Sequence, residues 1–218
     1  MPSSKEAIKA VWPLRLIFFG ALLCIFDYLP AGLRGPRYQV DVLNDALGMF
    51  LIAVAAGRLA RIPVHPPWND HHGSAMRFVK YVALIGIAEA VVGHLTFERP
   101  PPLVLAVLIY RIALVGASVL LCMAMRWLCS ELGLRRALKS WTVTTVAFVA
   151  VFASPLAAMY VTDFLTIMAG KKPFRALGPA ELLARVILSM GFVLIFVSTS
   201  RMEREASGEA TDASRQGS

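Results

Sequence analysis

Six predominantly apolar stretches recur along this 218-residue chain, most of them close to the ~20 residues needed to cross a hydrocarbon core of ~30 Å. They cover residues 11–28, 45–60, 78–97, 103–128, 141–169 and 180–200, the second being the shortest. In lipid every backbone N–H and C=O must be bonded within its own segment, so stretches of this kind are helices. The expected fold class is therefore all-α: a polytopic transmembrane bundle of six spans within residues 1–200, followed by a disordered polar tail over residues 201–218. Breakers separate the stretches: Pro30, Gly32, Gly35 and Pro36; Pro63, Pro66 and Pro67; Pro100, Pro101 and Pro102; Gly170, Pro173, Gly178 and Pro179. Pro155 lies inside the fifth stretch, where its missing N–H predicts a bend.

Composition agrees with this pattern. The chain is 57% hydrophobic and 17% charged with a mean hydropathy of +0.64, too apolar for a domain with a water-facing surface. A net charge of +8 would suit nucleic acid, but the basic residues sit in short clusters between apolar runs instead of on one face. Nucleic acid is therefore not among the expected partners. Cys24, Cys122 and Cys129 fall inside apolar runs, are odd in number and lack disulfide or zinc spacing, so free buried thiols are expected. Lys5, Lys9 and Arg15 precede the first stretch as in a signal peptide, yet no small-x-small cleavage site follows, and Asp27 and Pro30 occupy that region. The first helix is expected to be retained.

Lys and Arg resist translocation, so their distribution sets direction. The N-terminal segment, the second and fourth loops and the tail together hold fourteen, the opposite side holds seven, and Arg111 lies within a span. The bias places both termini in the cytoplasm. Lys171, Lys172 and Arg175 run against it.

Ionisable groups at membrane depth are costly unless paired or hydrated. Glu89 lies eight residues before the end of the third stretch and Arg111 eight after the start of the fourth, which places both about 12 Å below the outer edge. Gly86, Glu89, Gly93 and Thr96 share one helix face, and Arg111, Ser118, Cys122 and Cys129 form the corresponding stripe. Two readings stand side by side: a structural ion pair fixing the hairpin register, or part of a polar cavity that binds a substrate or relays protons. Asp27, Asp45, His94, Asp163 and Arg185 also fall in the outer halves of their spans, which together outline a polar vestibule open toward the outer face. Each has a plainer alternative. Asp27 and Asp45 can flank helix ends, Glu181 can pair with Arg185 four residues later, and Asp163 can sit at the interface between Tyr160 and Thr166.

Trp68, Asn69, Asp70, His71, His72 and Gly73, with His65 nearby, hold ligand-type side chains, but adjacent histidines rarely reach one ion with good geometry. A polar loop flanked by prolines is the ordinary alternative. The sequence has no glycine-rich phosphate loop, serine nucleophile elbow or paired-cysteine redox motif. No catalytic, cofactor-binding or metal residue is assigned and no cofactor is expected.

Phe26, Asp27 and Tyr28, followed by Val40, Asp41, Val42, Leu43, Asn44, Asp45, Gly48 and Leu51, resemble uncharacterised bacterial integral membrane proteins. In those proteins an acidic end to span one precedes an Asp-Ile/Val-Leu-Pro-Asp-x-x-Gly-x-x-Leu entry to span two. The likeness covers about forty residues, and Asn44 stands where that pattern has proline. It implies a bacterial inner-membrane protein and carries no activity. From the residues alone, Asn44 or Asp45 caps a helix start and Gly48 permits close packing.

Three functions follow as expectations. The first is a small transporter or channel-like protein moving a small molecule or ion through the outward-facing pocket. The second is a non-transporting scaffold or complex subunit, and the third an intramembrane lipid-modifying enzyme, for which only His94 with Glu89 approximates a site. Expected partners are membrane lipids, with a second copy of the chain or a partner membrane subunit.

Overall fold

The computed structural model describes residues 4–26, 38–62, 64, 69–95, 101–170, 191 and 193–208. Among the described residues there is no strand, and the fold is all-α. The helices are α1 (Ser4–Phe26), α2 (Tyr38–Leu59), α3 (Asn69–Leu95), α4 (Pro101–Glu131), α5 (Arg135–Ala147), α6 (Ser154–Met168) and α7 (193–208). A π-helical turn, Phe148–Ala153, joins α5 to α6, so residues 135–168 form one continuous rod.

The π turn ends two residues before Pro155, whose missing N–H leaves a gap in the hydrogen-bond ladder of this continuous rod. The wider turn accommodates the lost hydrogen bond, and Ser154 Oγ donates to the Val149 carbonyl at 2.8 Å. α3 begins at Asn69, well before the apolar stretch at 78, because Asp70 complements the helix N-terminus. α7 continues through residue 208, beyond the expected start of a disordered tail at 201. Met202 and Ala206 account for the extension: one turn apart, both fully buried, they give this polar stretch an inward face. Residues 209–218 lie outside the described ones.

Among the described residues two helices, 102–131 and 135–168, are long and apolar enough to cross a bilayer. α4 too carries charge, at Arg111 and Arg126, but the described parts of α1, α2 and α3 hold shorter uncharged stretches. Arg15 leaves α1 an uncharged stretch of only 16–26, Asp45 and Arg58 limit α2 to 46–57, and Lys80 and Glu89 limit α3 to 81–88. Each is short of the ~20 apolar residues of a full span.

α1 packs on α2, α2 on α3 and α3 on α4, while α4 also packs along the α5–α6 rod. At the α1–α2 crossing Gly20 and Gly48 face each other so closely that a Cβ built on either would lie 2.5 Å from the other's carbonyl oxygen. Small residues thus allow direct backbone approach, the packing foreseen for Gly48. Leu14, Leu59, Met76, Leu128, Trp141 and Met202 are fully buried and all lie toward the end where α1, α3 and α5 begin and α2, α4 and α7 finish. The opposite end is sparser. α6 has no buried residue, and between Pro102 and Gly116 α4 buries only Leu108 and Tyr110.

Large apolar side chains instead face outward on every helix: Phe19, Phe50, Ile85, Ile109, Leu165 and Phe196 are each more than 40% exposed. Exposed apolar side chains of this kind are what lipid or a partner helix would cover.

Replacing Gly48 by leucine is expected to lower the stability of the detergent-solubilised protein by about 1–3 kcal/mol, because the added side chain forces α1 and α2 apart. Gly116→Ala, where a Cβ meets nothing within 4 Å, should leave the melting temperature unchanged or slightly raised. Thermal unfolding followed by circular dichroism checks both.

Candidate functional site

Two regions concentrate polar side chains, one at each end of the bundle. At the densely packed end Glu205 of α7 reaches the start of α5. There the backbone N–H of Arg136 donates to its Oε1 at 3.0 Å and that of Ala137 to Oε2 at 2.7 Å. A carboxylate from another helix thereby satisfies two of the free N–H groups that begin α5. On α1, Arg15 Nη2 donates to Glu203 Oε2 at 2.5 Å. Deeper in, Ser198 Oγ lies 2.9 Å from Ser140 Oγ and 2.8 Å from Thr144 Oγ1, and Arg201 Nη1 donates to Ser140 Oγ at 3.3 Å. Ser140, Thr144 and Ser198 are buried, so this hydroxyl cluster needs its mutual hydrogen bonds.

A cleft of about 660 Å³ opens between α5 and α7 beside this cluster. Arg136, Lys139, Arg201 and Arg204 line it against one carboxylate, Glu205, and Val143, Leu194 and Val197 complete its walls. In the sequence these cations read only as markers of membrane orientation. The missed signal is spacing: residues 136, 139 and 143 share one face of α5, and 204, 201 and 197 one face of α7.

At the sparser end the groups expected to form a vestibule are partly gathered. Gly86 leaves room for the Tyr110 hydroxyl, which points at the Met49 sulfur 3.9 Å away, and the Cys24 thiol faces the Asp45 carbonyl at 3.8 Å. Glu89 and Asp163 are half-buried and Arg111 is exposed. No ion pair joins Glu89 to Arg111 among the described residues; the Arg111 guanidinium instead lies 5.9 Å from the centre of the Tyr160 ring on α6. Asp27 and Arg185 lie outside the described residues, as does the side chain of His94.

The expected histidine loop is the first turn of α3. Successive residues on a helix point about 100° apart, so His71 is exposed with its ring 6.0 Å from that of Trp127, while His72 is 1% exposed. Among the described residues no group of three His, Cys, Asp or Glu side chains could hold a metal ion. Among the described residues His72 Nε2 has no hydrogen-bond partner. Burial lowers the His72 pKa from 6.5 to about 4, a shift that the nearby Glu131 carboxylate partly opposes.

His72 is therefore neutral in the folded protein near pH 7. An unfolded His72 takes up its proton around pH 6.5 and the folded one only near pH 4, so stability is lost as pH falls through this window. Between pH 7 and pH 5 the loss from this residue is expected to be on the order of 2 kcal/mol. Thermal melts across that range should be visibly flatter for His72→Phe than for the natural chain; equal slopes would remove His72 from the account.

Comparison of the chain with family models, with characterised proteins and with solved structures gives no match.

Proposed function

We propose that this chain is a six-span protein of a bacterial inner membrane, with both termini cytoplasmic, that acts as a small transporter or channel-like protein. The apolar belt carries the membrane part of this reading. Phe19, Phe50, Ile85, Ile109, Leu165 and Phe196 come from α1, α2, α3, α4, α6 and α7 in turn, so each rod presents an oily flank. Arg15 of α1 and Lys80 of α3 lie on the side of the basic end, where Arg and Lys side chains can extend along the helix to the headgroups. Arg58 does so in part, its guanidinium resting 4.6 Å from the centre of the Trp12 ring.

The lack of an ion pair between Arg111 and Glu89 among the described residues supports the transport part. An ion pair buried between α3 and α4 would make a dry packing device, and that contact is absent among the described residues. At membrane depth exposed Arg111 and half-buried Glu89 and Asp163 need water or a polar partner beside them. A hydrated vestibule entered from the outer face meets this requirement with residues from α3, α4 and α6. The described cleft lies at the other end, so the vestibule rests on these ionisable groups. Exposed Arg111 also favours a second reading, in which a partner membrane subunit or another copy of the chain covers it.

Cysteine labelling in intact cells separates the two. In a chain whose Cys24, Cys122 and Cys129 are replaced by alanine, Arg111→Cys and Asp163→Cys should react with a membrane-impermeant maleimide added from outside. Cysteines replacing Ile109 and Leu165, on the lipid-facing belt, should not. Protection of both polar positions would refute the vestibule, and reaction only after inside-out vesicle formation would reverse the topology.

A further inference from the structure

We infer that the cleft between α5 and α7 seats the phosphate headgroup of an anionic phospholipid from the cytoplasmic leaflet. The inference rests on the membrane reading above and is independent of transport. Polarity along the two walls carries it. On α5 the residues facing this side run Arg136, Lys139, Val143 and Val146, and on α7 they run Arg204, Arg201, Val197 and Val193. Steps of three or four residues keep each series on one helix face. The helices run in opposite directions, so both walls change from cationic to apolar in the same sense: toward the bundle's middle. Val143, Val146, Val193 and Val197 are exposed, which continues the cleft into an open apolar strip.

An anionic phospholipid has the same polarity profile, with a phosphate at one end and acyl chains leading into the bilayer. A free anion would use only the cationic end and a nucleic acid would leave the valine strip uncovered. The cations are available for binding. The side chains of Arg136, Lys139 and Arg204 make no hydrogen bond or ion pair with a described residue, and Arg201 bonds only to the Ser140 hydroxyl. Glu205, the one acid in the lining, is occupied by the amides at the start of α5 and leaves the local balance positive. Basic clefts between helices at the cytoplasmic interface recognise lipid phosphates in this way, each Lys or Arg contributing to the attraction.

The test is a titration of the full chain in neutral detergent, followed by native mass spectrometry. The probes are dioleoyl phosphatidylglycerol and dioleoyl phosphatidylcholine, with inorganic phosphate and glycerol phosphate as competitors. One phosphatidylglycerol should bind per chain at least tenfold more tightly than phosphatidylcholine, and either competitor should displace it only at far higher concentration. Lys139→Gln with Arg204→Gln should weaken phosphatidylglycerol roughly tenfold or more. Lys9→Gln with Arg61→Gln, the same charge change at exposed sites outside the cleft, should not.

Equal binding of the two lipids, or equal weakening by the two charge-matched pairs, would overturn the inference. Displacement by inorganic phosphate at lipid concentrations would reassign the cleft to a free anion. Circular dichroism melts establish that the variants fold; should the double variant melt early, Arg136→Gln replaces it. Alkaline extraction of cell membranes, from which an integral protein is not released, tests the membrane reading separately.

Discussion

Two carboxylates only two residues apart hold the last helix in place. Glu203 is paired to Arg15 on α1, whereas Glu205 takes the amides that open α5. Residues two apart on a helix point about 200° from one another, so α7 grips α1 on one flank and α5 on the other. The exposed Arg15–Glu203 pair contributes little by itself. Its importance is positional, because the interactions on both flanks bring Met202 and Ala206 into the core and set Ser198 against Ser140 and Thr144.

The bundle is consequently uneven along its length. Large fully buried side chains and the hydroxyl cluster share the end where the carboxylates act, and the helices there are tied through backbone, hydroxyl and ionic contacts. Toward the other end, helix contact depends on small residues: Gly20 against Gly48, and Gly86 beneath Tyr110. Such crossings bring backbones close, and α6, which packs on α4, has no buried residue.

Much of the fold was legible in the sequence because apolar runs and proline breakers report directly on helices. α1, α2, α3, α4 and the α5–α6 rod each contain most or all of an expected stretch. What sequence obscured was amphipathic structure inside polar segments. Met202 and Ala206 are the apolar points of an otherwise charged run, so α7 reads as a tail until a neighbour covers that face. Similarly, the rise per residue places Glu89 and Arg111 at one depth but says nothing of direction around the helix axis. Tyr110 takes the position facing Gly86, which leaves Arg111 about 100° away beside Tyr160. The α5–α7 cleft was invisible because its two walls are more than fifty residues apart in the chain.

The π turn between α5 and α6 has a rotational consequence. Such a turn acts as one residue inserted into an α-helix and advances everything beyond it by about 100°. α5 directs Thr144 toward α7, and after the turn α6 directs Tyr160 toward Arg111 on α4. The rod thus engages two neighbours with two differently phased faces. Shortening residues 148–153 by one would preserve the length of apolar helix almost unchanged and yet turn Tyr160 away, separating the parts of the bundle like a key cut to the wrong angle.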